Sequence, residues 1–465
     1  MNTAQNTAIR KVDDYGHVDD SQSFRYCDER SRRYYDKLYH GFLESKKPRL
    51  KPTLHPTKAE QFLHLEDQTN RDGNRFTGLG MDHINQLAIL KLNGGLGTSM
   101  GCQGPKSLLK VANDKCFLDL IYEQLDHIES EYHEKIPLLL MNSQSTKTAT
   151  EDYLTRKKRQ SLQFLQSWYP RIQTKTITVA DGSQDHHFYP PGHGEVFRLL
   201  FDEGVADHLL AQGRRYLFLS NSDNIGASFD PKLFGYFIES QKSFLMEVCR
   251  RTVADKKGGV LIQNPTSKKL RLVESAQVEA DEKAYMQNTE EFQLFNTNSL
   301  WIDLLALRKI YNRGQLSLDL IVNPKTVFGE DYIQLEEAMG SAINSIEDSG
   351  LVVVSRARFA PVKTNEDLLR LRSNLYRFEN GLVRLREKFK EIPIINLSDE
   401  YKKIADFEER FTEVPCLKDA QSLSIDGDIH FGKNVTVIGH CKLEAPAGQR
   451  VHISDNEVLI GSHKY

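Results

Sequence analysis

The chemically richest stretch of the chain is Leu87-Ala-Ile-Leu-Lys-Leu-Asn-Gly-Gly-Leu-Gly-Thr-Ser-Met-Gly-Cys-Gln-Gly-Pro-Lys-Ser107. It opens with an apolar run of strand character, Leu87 to Leu92. A loop carrying Gly94, Gly95, Gly97, Gly101 and Gly104 follows, and the stretch closes on Pro105-Lys106-Ser107. A buried strand that empties into a glycine loop offers bare backbone N–H groups at the C-terminal edge of a sheet, where phosphates bind. A Cβ there would bar turns at positive φ and close approach of backbone to an anion. Lys106 adds a mobile point charge for phosphate oxygens. Two common loop types are excluded. A Walker loop needs Gly-Lys-Ser/Thr in direct succession, and Pro105 separates Gly104 from Lys106. The spacing of G-x-G-x-x-G is not met by Gly94, Gly95, Gly97 and Gly101.

Further candidates lie downstream. Ser220-Asn-Ser-Asp-Asn224 follows the apolar run Tyr216–Leu219. An acidic residue just past a buried strand suits Mg²⁺, which takes one or two carboxylates plus phosphate oxygens. Asp and Asn are also common turn formers at strand ends, so the motif alone reads either way. Beside a phosphate loop the metal reading of Asp223 prevails. Tyr189-Pro-Pro-Gly-His-Gly194 is a rigid turn presenting one imidazole, His193, between two glycines. A lone loop histidine usually has no role, but this fixed backbone favours a loop that faces a ligand. Gln166 carries an amide, which offers both donor and acceptor to a base edge. Ser167-Trp-Tyr-Pro170 has a packed aromatic turn as its alternative reading. Lys363, in Ala360-Pro-Val-Lys363, lies near a sheet edge, where lysine is ordinarily solvated surface.

Positioning these residues requires a sheet. From about residue 81, apolar runs of strand character alternate with helix-like segments: Leu87–Leu92, Ile136–Met141, Tyr216–Leu219, Phe244–Val248 and Leu351–Val354. Phe117 to Leu125 has helical apolar spacing between the first two. The alternation predicts a doubly wound, mostly parallel α/β domain with its chemistry at strand ends. Residues 1 to about 20 are polar and read as disordered. Ser21 to Ser45 reads as a helix with a modest apolar face, broken by prolines at Lys47–Pro56. Ser373 to about Glu409 is charged and reads as a helical connector. After Pro415, short β-rich stretches with glycine and near-hexad Ile/Val/Leu suggest turns of a parallel β-helix, while a small antiparallel sheet fits the spacing equally. The expected organisation is an N-terminal polar or helical segment at 1–60, a catalytic domain at 61–385, and a connector helix with a C-terminal β domain at 386–465.

Composition narrows the classes. A chain of 465 residues is long for one core, and two or three domains are expected. Hydrophobic content of 39% with 27% charged residues is ordinary for a globular protein, and a net charge of -3 gives no reason to expect nucleic acid or an anionic membrane as partner. Six cysteines (Cys27, Cys102, Cys116, Cys249, Cys416, Cys441) without paired spacing suit reduced thiols in a cytosol. Cys102, inside the glycine loop, reads as a space-filler. No basic n-region leads into an apolar stretch at the N-terminus, so no secretory signal is expected. No apolar run reaches the ~18 to 20 residues of a membrane helix.

The glycine stretch resembles that of the eukaryotic-type UTP–glucose-1-phosphate uridylyltransferase family. Other blocks resemble the family in family order: Leu140–Ser143, Gln166–Ile172, Phe188–Gly194, Ser220–Asn224, Ala254–Gly259, Phe295–Trp301 and Arg358–Lys363. The resemblance spans roughly residues 80 to 380. It implies a Rossmann-like, GT-A-like nucleotidyltransferase fold, with a C-terminal left-handed parallel β-helix often used for homo-oligomerisation. The implied reaction is UTP + glucose 1-phosphate ⇌ UDP-glucose + pyrophosphate with Mg²⁺, in the cytoplasm. Lys106 and Lys363 are then the catalytic cations on the triphosphate, and Asp223 holds the metal. Leu92, Asn93, Gly94 and Gly95 line the nucleotide, with Gln166 and Gly192 at the uracil. His193, Asn221 and Ser222 join Gly94, Gly95 and Asp223 at the sugar phosphate, and Glu274 and Asn298 meet hexose hydroxyls. Three positions depart from the family pattern: Gln103 stands where lysine is common, Ser222 where a larger apolar residue is common, and Ser299 where a second Asn is common. None removes an expected phosphate or metal ligand, although Gln103 drops one positive charge near the triphosphate.

Overall fold

The computed structural model describes residues 22–44, 55–64, 71–112, 114–252, 255, 258–386 and 392–465. The polar segment 1–20, the proline break before residue 55 and most of Ala254–Lys257 lie outside the described residues.

The central sheet forms where the apolar runs predicted strands. In spatial order it runs Leu63–His64, Ser349–Val353, Phe244–Arg250, Leu294–Asp303, Tyr216–Asn221, Leu87–Asn93, Leu138–Asn142 and Leu162–Leu165. Neighbours are parallel except at Leu294–Asp303, which is antiparallel to both strands beside it. The hairpin Val260–Gln263/Leu270–Val273 joins through Val260 opposite Phe295. The sheet is therefore mixed and mostly parallel, as expected.

Strand periodicity sorts the side chains onto two faces. Ala88, Leu90, Leu92, Leu139, Met141, Leu217 and Leu219 enter one core, where helices Val196–Asp202, Val205–Ala211 and Leu304–Asn312 pack. Leu87, Ile89, Leu138, Leu140, Tyr216 and Phe218 enter the other, under helices Phe117–Tyr132, Lys147–Lys157 and Pro231–Ser240. Burial on both faces explains why all seven residues of Leu87–Asn93 are buried and why its sequence does not alternate.

Three further pieces surround this unit. The N-terminal helix, Glu29–Glu44, buries Tyr35 and Leu38 against a small sheet that contains Ile172, Val179, Ile333 and Leu335. Near the C-terminus, Ile394–Leu397, Cys416–Asp426, Thr436–Glu444 and Val458–Lys464 pair in parallel, and Ile429–Phe431 pairs in parallel with Val451–Ile453. The antiparallel alternative is thereby excluded. Leu423, Ile425, Val437, Leu443 and Leu459 fill the interior of this stack, and the same core reaches Met100 in the glycine loop and Leu368 and Leu369 beyond Lys363.

The expected helical connector is corrected. Tyr376–Glu379 and Leu382–Leu385 form an antiparallel hairpin instead, and among the described residues of Ser373–Glu409 the only α-helix is the segment Ile404–Arg410. Its turn is Asn380-Gly381, both at positive φ (51° and 71°), the backbone that a two-residue hairpin requires. Charge density hid an Asn-Gly hairpin signal flanked by alternating apolar residues.

Candidate active site

The site is built where parallel strands end. Asn221 lies opposite Leu92 across the sheet, and Asn93 opposite Asn142. Beyond Asn93 the glycine loop leaves and returns: Lys106 N donates to Gly95 O at 2.9 Å, closing the excursion. Gly97 (φ 62°) and Gly101 (φ 66°) take left-handed conformations that a side chain disfavours. Pro105 leads into a short turn, Lys106–Leu108, and the Lys106 ammonium lies 2.7 Å from Asp223 Oδ2. Two motifs 117 positions apart thus meet at one point.

The Asp223 turn is held from below and from the side. Ser222 N donates to Leu92 O at 3.2 Å. Lys91, fully buried, donates to Ser220 Oγ at 2.8 Å and to Ala227 O at 2.7 Å. Loss of hydration, then the nearby Arg358 charge, push its ammonium down to about 7. Asn224 Nδ2 donates to Arg358 O at 3.1 Å, and its Oδ1 accepts from Ala360 N at 3.0 Å. This side chain fastens the Asp223 turn to the segment that ends in Lys363. Arg358 in turn makes two 2.8 Å bonds to the buried carboxylate of Glu247, which also accepts from Trp301 Nε1. Lys363 is exposed, with its ammonium 5.9 Å from the Phe295 and Phe359 ring centres.

A second wall carries Gln166. Its Nε2 donates to Gly192 O at 2.8 Å, and a Cβ on Gly94 would stand 2.4 Å from its Oε1. Gly94 must therefore be glycine for the amide to lie over the strand end. Ser167 N is fixed by Glu195 Oε2 at 2.9 Å, and Glu195 by Arg198 at 2.7 Å. Gly192 (φ 85°) has no room for a side chain either, because a Cβ would meet Glu337 O at 2.6 Å. His193 Nδ1 accepts from Met339 N at 3.1 Å, which leaves the ring proton on Nε2. Burial pushes the imidazole down to about 4, so it stays neutral at physiological pH.

The third wall is the Asn298 bulge. Pairing between Phe244–Arg250 and Leu294–Asp303 slips between Glu247 and Val248, and Asn298 turns to φ 55°. Asn296 braces it through bonds of 2.8 and 2.9 Å. Glu274 lies against Gly259, where a Cβ would meet its carboxyl at 2.9 Å. Burial raises the Glu274 carboxyl, and the Lys363 charge partly offsets that.

The structure brings Lys106 to Asp223, Gln166 to Gly94 and Gly192, and the Lys363 segment to the Asp223 turn. Two expected residues face inward. Leu92 is buried, and the Asn93 amide donates to Asn142 Oδ1 and Thr150 Oγ1 at 2.7 and 2.9 Å. Both present backbone rather than side chain at the strand end. Sequence reasoning passed over Lys91, Asn224, Glu247 and Asn296. A lysine inside an otherwise apolar strand was the visible signal for the first.

A glycine-rich loop facing an acidic strand end on a mixed α/β sheet, with lysines and an amide around it, fits a nucleotidyltransferase. Residues 33–438 match the UTP–glucose-1-phosphate uridylyltransferase family. The probable UTP–glucose-1-phosphate uridylyltransferase of Schizosaccharomyces pombe is 40% identical over 415 residues, which cover 86% of this chain and 80% of that one. The structure of UDP-glucose phosphorylase from Trypanosoma brucei aligns with TM-score 0.80 and 35% identity, covering 92% of this chain and 96% of that one. A variant of UDP-glucose pyrophosphorylase from Leishmania major in complex with UDP-glucose aligns with TM-score 0.84 and 29% identity, covering 95% and 99%. The chain belongs to the UTP–glucose-1-phosphate uridylyltransferase family.

Proposed function

We propose that the chain catalyses UTP + glucose 1-phosphate ⇌ UDP-glucose + pyrophosphate. A sugar-phosphate oxygen attacks the α-phosphorus of UTP in line, the new P–O bond forms, and the bond to pyrophosphate breaks. Such transfer needs positioning and charge neutralisation rather than a covalent nucleophile. The observation that carries this reading is the Lys106–Asp223 contact of 2.7 Å at the mouth of the glycine loop. It joins a phosphate cation to a metal-type carboxylate.

In this reading Lys106 leaves Asp223 for phosphate oxygens when UTP enters, and Lys363 reaches the triphosphate from the opposite segment. Asp223 offers one carboxylate, which fits Mg²⁺, an ion that takes most of its ligands from phosphate and water. When bound, Mg²⁺ neutralises charge on the triphosphate. Backbone groups of Leu92, Asn93, Gly94 and Gly95 line the nucleotide. Gln166 Oε1, aimed by the bond from Nε2 to Gly192 O, accepts from uracil N3–H. His193 donates from Nε2 to the sugar phosphate, with Asn221 and Ser222 beside it, and Glu274 and Asn298 take hexose hydroxyls.

The C-terminal parallel strands read as a left-handed β-helix that joins copies of the chain. Ile394, Val458 and Ile460 stand exposed on it, at 64%, 53% and 60%. Six free cysteines suit a cytoplasmic enzyme, and among the described residues no helix is long and apolar enough to cross a membrane. A pyrophosphate-release assay across a panel of sugar 1-phosphates tests the activity. Turnover with UTP and glucose 1-phosphate is expected to exceed that with other sugars, and absence of turnover with every sugar would reject the reading.

A further inference from the structure

The loop that ends in Gly192 and His193 begins beside a second set of metal-type side chains. His186, His187 and Glu330 offer ligand atoms that all lie within 4.8 Å of one another. The histidines sit on the turn Asp185–His187, and Glu330 opens the strand Glu330–Glu337. Two imidazoles and one carboxylate are the donors of a three-ligand Zn²⁺ site with an open fourth position; Mg²⁺ and Ca²⁺ prefer oxygen alone.

The surroundings are those of a ligand set. Asp181 Oδ1 stands 3.0 Å from His187 Nδ1, and a carboxylate beside a ligating imidazole fixes its orientation. The Tyr332 hydroxyl donates to Glu330 Oε2, leaving Oε1 for an ion. Arg171 bonds the backbone oxygens of His186 and Phe188, which holds the turn. His187 is only 8% exposed, and with its Nδ1 facing Asp181 Oδ1 the ring offers Nε2 to an ion. Tetrahedral Zn²⁺ with bonds of about 2.1 Å spaces its ligands about 3.4 Å apart. Exposed Glu330 and half-buried His186 can close that difference by side-chain rotation.

We propose that His186, His187 and Glu330 form a transition-metal site of the Zn²⁺ class that ties the base-binding loop to the strand beneath it. The far ends of loop and strand are already joined: Glu337 N donates to Pro191 O at 3.0 Å, and Met339 N to His193. An ion at the near ends braces the loop on both sides of Tyr189.

Equilibrium dialysis of the chelator-stripped, nucleotide-free full chain against Zn²⁺ tests this, with melting followed in parallel. One saturable Zn²⁺ equivalent is expected, with a rise in Tm that Mg²⁺ does not reproduce. His186→Ala and Glu330→Gln, both accessible positions that leave the buried ring in place, should each weaken that equivalent by at least ~10-fold and remove the Tm rise. Asp223→Asn should retain it, which separates this site from the nucleotide site. Zn²⁺ affinity unchanged in both His186→Ala and Glu330→Gln, loss of the equivalent in Asp223→Asn, or no saturable binding by the parent would each overturn the proposal.

Discussion

Lys106 Nζ and Asp223 Oδ2 lie 2.7 Å apart, the ammonium of the glycine loop against the carboxylate of a neighbouring strand end. In the proposed reaction this pair parts to admit a triphosphate and its cation.

Removing either member should therefore cost rate rather than fold. Lys106→Ala and Asp223→Asn are each expected to lower kcat/KM for UTP by ~10²–10³, the usual loss when one fixed charge-stabilising group is removed. Thermal melting should shift by only a few degrees. Steady-state pyrophosphate release checks both, and an Asp223→Asn enzyme with the parent kcat at saturating Mg²⁺ would end the metal assignment.

Asn224 should matter without touching substrate. Asn224→Ala deletes the bonds to Arg358 O and Ala360 N and frees the segment carrying Lys363. Lys363→Ala is expected to cost ~10²–10³ in kcat/KM. If Asn224 acts by positioning Lys363, the double variant should fall little below Lys363→Ala alone. Fully additive losses would show that the two act separately.

Base choice should rest on Gln166. Cytosine lacks the N3–H that Oε1 accepts, so Gln166→Ala should narrow the preference for UTP over CTP as well as weaken UTP binding. Competition kinetics with the two nucleotides measure this. Unchanged preference would leave Gln166 as part of a packed turn.

Glu337 and His193 give opposite pH signatures. Burial pushes the Glu337 carboxyl, bonded by Tyr34 at 2.6 Å, up to about 7. Between about 4.5 and 7 the folded chain holds a proton that the unfolded chain has released, so this stabilisation is full at low pH and lost as pH rises through 7. Glu337→Gln, whose amide oxygen can still accept from Tyr34, should gain Tm over the parent at pH 8 and not at pH 5. His193, held down to about 4, works the other way: its share of stability is full above 6.5 and lost as pH falls toward 4. His193→Gln should melt with less acid sensitivity across that window. Melting curves at pH 4, 5, 6.5 and 8 check both signs, and an equal Glu337→Gln effect at pH 5 and 8 would refute the raised carboxyl.

Much of this chain was legible in its residues because the cues are local. Uninterrupted apolar runs such as Leu87–Leu92 demand burial on both faces, and five clustered glycines before Lys106 demand close approach of something to bare backbone. The Asn380-Gly381 turn was equally local, and charge density around it concealed it. What the sequence could not show is who meets whom. A side chain at Gly94 would displace Gln166, which follows another strand and lies over it. Asn224 is a clamp only because the Arg358 to Lys363 segment returns beside it. Glu247 is tolerated at zero exposure only because Arg358 and Trp301 arrive to satisfy it. Buried polar groups take their meaning from partners more than fifty residues away, and strand order, which no local propensity encodes, decides those partners.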